Sequence, residues 1–206
     1  MNYFVTAIHT DSGKTLVSAI LCEFLHADYW KPVQAGYPTD ASRIRELVSE
    51  ELNVHAEGFR LNTPASPHAA AALEDVRISC DDLKLPTSTG DLIIEGAGGI
   101  LVPLNDHEFV IDIALKFNCE VLVVSNLYLG SINHTLLTIE ALKNRKAKIC
   151  GIIFNGPSNP ASESFILKHT GLPCLLRILP EPELTREVVK HYALKLHDHW
   201  NNRIKN

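Results

Sequence analysis

The fold is decided near the start of the chain by the stretch Tyr3-Phe4-Val5-Thr6-Ala7-Ile8-His9-Thr10-Asp11-Ser12-Gly13-Lys14-Thr15. Its first part predicts an apolar strand, a turn of small and polar residues follows, and Gly13-Lys14-Thr15 begins an apolar helix. In such a turn, successive backbone N–H groups can point at phosphate oxygens, a lysine supplies a compact positive charge, and a hydroxyl can ligate magnesium. The stretch therefore predicts a phosphate-binding loop.

The spacing of this loop departs from the common pattern G-x-x-x-x-G-K-[ST]. That pattern would place a glycine at position 8, where this chain has Ile8, and the nearest small residue is Ala7. A Gly-Lys-Thr tripeptide alone occurs by chance, whereas a strand before it and a helix after it form the context that the motif requires. The alternative interpretation is an ordinary strand–turn–helix corner that binds no ligand.

The composition of the whole chain is that of an ordinary globular protein, with 206 residues of which 46% are hydrophobic and 21% charged. It predicts one domain over residues 1–206. The net charge of −5 and the lack of a basic run predict no nucleic-acid partner. The lack of a leader or a long apolar stretch predicts no membrane association. The five cysteines form no CxxC pair, which indicates reduced thiols and a cytoplasmic location.

Strand and helix patterns alternate along the chain without repeats or linkers. Glu120–Ser125 and Ala147–Asn155 are near-continuous apolar, β-branched runs, which are typical of parallel strands buried on both faces. The segment between Val54 and Gly90 is expected to be irregular apart from an alanine-rich helix at Ala69–Leu73, and long excursions of this kind often cover a site. We therefore predict an α/β fold, a single doubly wound domain with a mainly parallel sheet and helices on both faces.

Three charged residues fall at strand ends or helix starts on the predicted carboxyl edge of the sheet. Lys31 ends a short strand, Asp40 lies at the start of a helix, and Glu95 ends a buried strand before a run of glycine and alanine. In an open parallel sheet this edge lines the ligand crevice, so the lysine can face phosphates and the carboxylates can face magnesium. Each residue also has a plain alternative: Lys31 as a solvated lysine, Asp40 as a helix cap, and Glu95 as a strand end.

Three further features carry weaker predictions. The helix that begins at Gly130 and Ser131 offers free N–H groups to an anion, although Ser131 can equally be an ordinary cap. Asn155 ends a strand, where its amide can pair with a purine edge or simply make a turn. Ser66-Pro67 fit an N-cap and a first helical residue, which leaves His68 as a weak candidate for ligand contact.

In their order and spacing, these motifs resemble those of the dethiobiotin synthetase family, and the resemblance covers nearly the full length of the chain. The residues that carry it are Tyr3-Phe4-Val5-Thr6 with Thr10 and Gly13-Lys14-Thr15, Lys31-Pro32-Val33-Gln34 with Gly36, Asp40, Ala65-Ser66-Pro67-His68, Glu95-Gly96-Ala97-Gly98-Gly99 with Pro103-Leu104, and Leu129-Gly130-Ser131-Ile132-Asn133-His134-Thr135-Leu136-Leu137-Thr138. The loop of that family is longer by one residue, so Ile8 fits it. The departures are Ala7, where the family usually has glycine, Ala35, where it generally has serine or threonine, and Tyr128, where some members have lysine.

The resemblance implies a P-loop NTPase fold and an ATP-dependent ring closure in biotin synthesis. In that reaction 7,8-diaminopelargonate is carbamated by CO2, and ATP phosphorylates the carbamate to a carbamic-phosphoric mixed anhydride. The second amine then closes the ring to dethiobiotin with loss of phosphate, so the products include ADP and phosphate. The resemblance also implies Mg²⁺ as the cofactor and a homodimer whose sites lie at the subunit interface.

Matching positions imply roles for individual residues. The catalytic residues would be Lys31, Lys14 and Thr10, in which the lysines hold γ-phosphate and carbamate oxygens and the threonine contacts the diamine. Mg²⁺ would be bound by Thr15, Asp40 and Glu95. The nucleotide would be bound by Asp11, Ser12, Gly13, Lys14, Thr15, Glu95, Gly96, Ala97, Gly98 and Asn155. The substrate would be bound by Thr10, Lys31 and Ala35 and, across the subunit boundary, by Gly130, Ser131, Ile132 and Asn133.

Two other classes of protein share parts of this pattern. One is a nucleotide switch of the same P-loop branch, such as a partitioning or maturation ATPase, which would need an exposed apolar surface for a protein partner. The other is an ATPase of the cobalamin pathway, which normally adds a large glutamine-using domain for which 206 residues leave no room. Dependence of ATP hydrolysis on the diamine and bicarbonate separates the synthetase from the switch.

Overall fold

The computed structural model describes residues 1–200, without the side chains of residues 198 and 199. The strands are β1 (Asn2–Ala7), β2 (Asp28–Trp30), β3 (Val33–Ala35), β4 (Phe59–Leu61), β5 (Leu92–Gly99), β6 (Glu120–Asn126), β7 (Lys148–Asn155) and β8 (Cys174–Ile178). The helices are α1 (Lys14–Leu25), α2 (Asp40–Leu47), α3 (Pro67–Leu73), α4 (Val110–Lys116), α5 (Ser131–Asn144), α6 (Pro160–Thr170) and α7 (Arg186–Trp200). Residues 201–206 of the predicted domain lie outside the described residues.

Six strands form one sheet in the order β2-β5-β1-β6-β7-β8, and every neighbouring pair is parallel. The chain begins in the middle of this sheet, winds to one edge and then returns to build the other. This is the doubly wound arrangement, in which ligands bind outside the carboxyl ends of the strands where the winding reverses. The predicted fold class is confirmed.

Helices cover both faces of the sheet, because alternate residues of each buried strand point to opposite sides. Val5 and Ile93 pack in one core with residues of α1, α2 and α7. Phe4 and Ile94 pack in a second core with residues of α3, α4 and α5. The strands are therefore apolar at consecutive positions, which explains the continuous apolar runs in the sequence. Among residues 1–200, no helix combines the length and hydrophobicity needed to cross a membrane.

Strands β3 and β4 form a separate two-stranded parallel sheet that the sequence pattern does not predict. Val33 pairs with Phe59, and Ala35 pairs with Leu61. The prediction of an irregular segment between Val54 and Gly90 is therefore wrong at β4. Each strand has only three residues, which is too short to show an alternating pattern, and the pairing joins positions far apart in the chain.

The register of the main sheet determines which residues meet at its carboxyl edge. Trp30 pairs with Ile94, so Lys31 follows β2 beside Glu95. On the other side of β5, Val5 pairs with Glu95, just before the phosphate loop leaves β1. The loop, Lys31 and Glu95 are thus brought to one edge by strand pairing.

Candidate active site

The loop between β1 and α1 has the local geometry of a phosphate-binding loop. Asp11 and Gly13 have φ angles of 59° and 94°, so the backbone twice enters the left-handed region. The hydroxyl of the buried Ser12 donates to the carbonyl oxygen of His9 at 3.0 Å, which fixes the turn from inside. A Cβ at Gly13 would overlap Nδ2 of Asn155, so only glycine fits there without a shift. Backbone N–H groups in such turns form a concave anion site.

Lys31 is buried at the centre of a charged cluster beside this loop, with 3% of its surface exposed. Its Nζ lies 2.6 Å from Oδ2 of Asp40 and 3.0 Å from Oε1 of Glu95. It also donates to the carbonyl oxygen of Gly96 at 3.1 Å. An ammonium group has three hydrogens to donate, and each has an acceptor here. Lys31 is therefore not a solvated surface lysine.

Asp40 belongs to the same cluster because another residue caps its helix. The side chain of Thr39 accepts a hydrogen bond from the backbone of Ser42 and caps α2. The Asp40 carboxylate is thus free of the capping role, and its Oδ1 lies 3.2 Å from Oγ1 of Thr15. The backbone N–H of Asp40 donates to Oε1 of Gln34 at 3.1 Å, which holds the start of the helix in place.

Glu95 lies inside strand β5 rather than at its end. The strand continues to Gly99, which pairs with Ala7, so the prediction that Glu95 ends a strand is wrong. The following residues are small because β5 passes close to the phosphate loop, where a Cβ on Gly98 would lie 2.8 Å from Val102 and 3.5 Å from Thr10. The Glu95 carboxylate is buried, with Oε1 at 3.1 Å from Oγ1 of Thr15.

Opposite charges keep Lys31 and Asp40 ionised. Burial lowers the pKa of Lys31, but the carboxylates of Glu95 and Asp40 outweigh it, so that the pKa is raised overall. Burial raises the pKa of Asp40, but the charge and hydrogen bond of Lys31 outweigh it, so that this pKa is lowered. At neutral pH the Lys31 side chain is therefore positively charged and the Asp40 side chain negatively charged.

Lys14 has a different environment, although it is also buried. Burial and the nearby charge of Lys31 lower its pKa, against the opposing effect of Glu95 and Asp40. No described residue accepts a hydrogen bond from its ammonium group. A desolvated cation that lacks a protein acceptor is suited to an anionic ligand.

A cleft of about 760 Å³ joins these groups. The predicted site residues that line it are Thr10, Asp11, Gly13, Lys14, Thr15, Lys31, Ala35, Asp40, Glu95, Ala97 and Gly98. They come from α1, β3, α2 and β5 and from the loops after β1 and β2, so distant parts of the sequence converge on one cleft. Of the predicted nucleotide-binding residues, three do not line it: Ser12, Gly96 and Asn155. Asn155 lies behind the loop, where its Nδ2 donates to the carbonyl oxygen of Ser12 at 2.9 Å.

The predicted carboxylate-binding residues at the start of α5 are not part of this cleft. Gly130 has a φ angle of 106° and is the N-cap of the helix, so the predicted helix start is correct and Ser131 is the first helical residue. The side chain of Ser131 is buried, and its hydroxyl has no hydrogen-bond partner among the described residues. Ile132 is half-buried and Asn133 is exposed.

His68 is also outside the cleft, although its neighbours Ala65, Ser66 and Pro67 line it. The structure confirms Ser66 as the N-cap of α3 and Pro67 as its first residue. The Oγ of Ser66 lies 3.1 Å from Nδ1 of His68, so the exposed imidazole has a local partner. His68 is thus not among the residues that line the cleft.

Oxygen atoms suited to Mg²⁺ converge at the inner end of the cleft. The hydroxyl of Thr15 lies within 3.2 Å of one oxygen of Asp40 and within 3.1 Å of one oxygen of Glu95. Magnesium is typically bound by one or two carboxylates together with phosphate oxygens and water. Among the side chains that the structure describes, no group of three or more His, Cys, Asp or Glu is placed to bind a metal by itself. The donor set therefore fits an ion that draws further ligands from a nucleotide.

Comparison with known proteins identifies the family. A sequence family described as an AAA domain matches residues 1–188. The ATP-dependent dethiobiotin synthetase of Cytophaga hutchinsonii is 58% identical over 201 residues, which are 96% of this chain and 98% of that relative. The chain belongs to the dethiobiotin synthetase family. The synthetase of Christiangramia forsetii is 47% identical over 94% of this chain and 95% of its own.

Two solved structures with the same fold are less similar in sequence to this chain than these synthetases are. MinD of Pyrococcus horikoshii, complexed with Mg-ADP, is 16% identical with a TM-score of 0.56, covering 100% of this chain and 94% of that chain. A ParA family ATPase of Chlorobium tepidum is 15% identical with a TM-score of 0.53, covering 94% of this chain and 97% of its own. At this identity the likeness shows the fold alone, and it confirms the predicted P-loop NTPase fold.

The three departures from the dethiobiotin synthetase pattern have different structural settings. Ala7 is a buried strand residue that pairs with Val124, and its φ angle is not positive, so glycine is not required. Ala35 lines the cleft without a side-chain donor, while its carbonyl oxygen accepts from Gln34. Tyr128 lies outside the cleft, where its hydroxyl hydrogen-bonds to Nδ1 of His134.

Two polar residues that contact the candidate site were not predicted. Gln34 supports Asp40, and the hydroxyl of Tyr29 donates to Oε2 of Glu95 at 3.1 Å. Tyr29 and Lys31 are two positions apart along an extended segment, so their side chains share one face. That spacing is a signal in the sequence, but only the pairing of β2 with β5 connects it to Glu95.

Proposed function

We propose that this protein is an ATP-dependent dethiobiotin synthase, a cyclo-ligase that forms dethiobiotin from 7,8-diaminopelargonate and CO2. The observation that carries the proposal is the buried cluster of Lys31, Asp40 and Glu95 beside the phosphate loop. In this cluster, against the effect of burial, two carboxylates raise the pKa of Lys31, and the oxygens of Thr15, Asp40 and Glu95 are of the kind that Mg²⁺ prefers. Membership of the dethiobiotin synthetase family supports the identity of the substrates.

The reaction proceeds in three steps. One amine of the diamine attacks CO2 and loses a proton, which gives a carbamate. A carbamate oxygen attacks the γ-phosphorus of ATP, the bond to the bridging oxygen breaks, and ADP leaves. The second amine then attacks the carbamoyl carbon and loses a proton, phosphate leaves with the bonding electrons, and the ring closes. The catalytic contribution of the protein is chiefly to position these groups and offset their negative charge.

Lys14 and Lys31 supply the positive charge in this proposal. Lys14 binds the γ-phosphate, because its ammonium group is desolvated and donates to no described protein acceptor. Lys31 binds carbamate and phosphoryl oxygens after giving up one of its acceptors. Of the two carboxylates that Lys31 contacts, Asp40 is the more exposed: 33% of its side chain is exposed, against 1% for Glu95. Lys31 therefore exchanges its contact with Asp40 for the contact with the substrate. Thr10, which lines the cleft, contacts the diamine.

Thr15, Asp40 and Glu95 hold Mg²⁺ in this proposal. When bound with ATP, the ion offsets charge on the phosphate oxygens. The hydroxyl of Thr15 and the carboxylate of Asp40 approach from helix starts, whereas Glu95 approaches from the sheet. The three donors are thus held by three separate elements, which limits their freedom to move apart.

The nucleotide is held by the loop and by the small residues of β5. Backbone groups of Asp11, Ser12 and Gly13 surround the phosphates, and Gly96, Ala97 and Gly98 leave room beside them. Asn155 contacts adenine, because its Nδ2 is committed to the carbonyl oxygen of Ser12 while Oδ1 accepts from no described residue.

A cytoplasmic location fits an ATP-dependent enzyme with free thiols, and the described cysteines are all free.

The assay that tests this function measures ATP hydrolysis with the diamine and bicarbonate each omitted in turn. We expect hydrolysis to depend strongly on both and to produce dethiobiotin and ADP in equal amounts. Hydrolysis that is indifferent to both would instead favour a nucleotide switch. Mg²⁺ is tested in the same assay by titration with a chelator, which is expected to stop turnover.

The active unit is proposed to be a homodimer with each site completed by the partner subunit. Gly130, Ser131, Ile132 and Asn133 do not line the cleft of their own chain, so they would bind the substrate carboxylate in the partner's site. Leu129 is fully exposed beside them, which fits a buried position in a dimer.

Mixing two inactive variants tests this shared site directly. Lys31→Gln impairs the cleft, and Asn133→Asp places a negative charge against the substrate carboxylate. A heterodimer of the two has one site with both defects and one with neither. Random mixing is therefore expected to restore about a quarter of wild-type activity, because about half of the dimers are mixed and half of their sites are intact. No recovery after mixing, together with an active monomer in sedimentation, would contradict the dimer.

A further inference from the structure

Tyr29 contributes a buried hydroxyl to the cluster that contains Lys31 and Glu95. Its side chain lies under α1 with 1% of the residue exposed. The phenolic oxygen donates to Oε2 of Glu95 at 3.1 Å. This hydroxyl is not required for packing, because phenylalanine would fill the same space in the core. Its contact with Glu95 therefore calls for a separate explanation.

The register of β2 and β5 makes this contact specific. Tyr29 pairs with Ile93, and Trp30 with Ile94, so Tyr29 and Lys31 project on the same face as Glu95. Tyr29 contacts one oxygen of the carboxylate, whereas Lys31 and Thr15 contact the other, Oε1, at 3.0 and 3.1 Å. The two oxygens are thus divided between the interior and the cleft.

A glutamate carboxylate needs such a division to hold one orientation. Its terminal torsion has broad minima, so the side chain alone does not determine which oxygen faces a ligand. We propose that Tyr29 is a positioning residue that holds Oε2 of Glu95 in the interior, so that Oε1 is presented to Mg²⁺ beside Thr15. This inference rests on the proposed role of Glu95 as a magnesium ligand.

The hydroxyl of Tyr29 stays protonated, and so remains a hydrogen-bond donor, throughout the catalytic cycle. Burial, and then the negative charge of Glu95, raise the pKa of Tyr29 well above its usual value. The protonated hydroxyl can therefore donate to the carboxylate when Lys31 exchanges partners. Partners of a metal-binding carboxylate in other proteins commonly change metal affinity when they are removed.

The test is Tyr29→Phe, which removes one oxygen and keeps the ring. Mn²⁺ is titrated into the enzyme–ADP complex and free Mn²⁺ is followed by electron paramagnetic resonance. We expect Mn²⁺ affinity to fall about tenfold, the usual effect of losing an outer partner of a metal ligand. In steady-state assays the Mg²⁺ concentration needed for half-maximal rate rises correspondingly, while excess Mg²⁺ restores most of kcat.

Tyr192→Phe is the matched control. Tyr192 has the same exposed fraction as Tyr29, 1%, and its hydroxyl donates to a carboxylate oxygen of Glu181 at 2.7 Å, away from the cleft. It is expected to lower thermal stability without changing Mn²⁺ affinity. Mn²⁺ affinity in Tyr29→Phe within twofold of wild type, or an equal loss in Tyr192→Phe, would overturn the inference.

Glu95→Gln separates this inference from the proposed function. If Glu95→Gln weakens Mn²⁺ binding and Tyr29→Phe does not, then only the role of Tyr29 is wrong. If neither variant weakens Mn²⁺ binding, then the proposed role of Glu95 fails and the inference about Tyr29 falls with it. A loss in both, larger for Glu95→Gln, supports both.

Discussion

Replacing Lys31 with glutamine is expected to leave ATP binding largely intact and to lower kcat by about a thousandfold, the upper range for loss of one group that stabilises the transition state. The reason is the position of its ammonium group between Asp40 and Glu95, where it is fully charged and faces the proposed carbamate. ATP binding is expected to persist because the variant still has the phosphate loop and Lys14. Turnover is measured with all three substrates, and ATP binding by calorimetry.

Stability is the main complication of this variant. Removing one partner of a buried ion pair typically costs about 3–5 kcal/mol, because the remaining charge stays buried. Thermal unfolding with and without Mg²⁺ and ADP shows whether the variant is folded under the conditions of the assay. Lys143→Gln is a suitable control, because Lys143 donates to the carbonyl oxygen of Thr170 far from the cleft. Wild-type turnover in a folded Lys31→Gln variant would refute the catalytic role.

Replacing Lys14 with methionine is expected to affect binding and stability in opposite directions. ATP affinity should fall on the order of a hundredfold, because a charge-assisted contact to phosphate is lost. The ligand-free protein should become more stable, by about 3 °C in Tm if removal of the desolvated charge is worth about 1 kcal/mol. Calorimetry and thermal unfolding measure the two effects on the same sample.

The pH dependence of stability provides an independent check on Lys14. Burial lowers its pKa in the folded state below the usual 10.5, so the unfolded chain binds this proton more tightly. The resulting cost to stability is complete below the folded pKa, and it is relieved as pH rises from that value toward 10.5. The gain in Tm of Lys14→Met over wild type should therefore shrink as pH rises through this range. If the gain in Tm of Lys14→Met does not change with pH, the loss of the Lys14 charge is not the cause of that gain.

The sequence was most informative where local patterns are sufficient. The strand, turn and helix around Gly13 are specified by neighbouring residues, and the structure has them at β1 and α1. The buried runs at β6 and β7 predict a parallel sheet, since apolar residues at consecutive positions fit strands covered on both faces. The prediction that Lys31 and Glu95 lie close together followed from that sheet, although Glu95 lies inside β5 and not at its end.

Pairings between distant segments were not predictable in the same way. Strands β3 and β4 are too short to show a pattern, and β5 continues past Glu95 because Gly99 pairs with Ala7. The sequence allowed Asp40 to be the cap of α2, whereas in the structure Thr39 caps this helix. Each of these outcomes depends on which segments lie next to each other in space.

The phosphate loop, the fold class and the family of this protein were determined by the sequence alone, since short motifs and hydrophobic periodicity express them directly. The tertiary structure decided which polar groups of the cleft contact one another. Strand register divides the oxygens of Glu95 between Tyr29 and the cleft, and it places Lys31 between two carboxylates. It also leaves Asn133 outside the cleft of its own chain. Distances between side chains on separate elements arise only when those elements pack, and no local pattern encodes them.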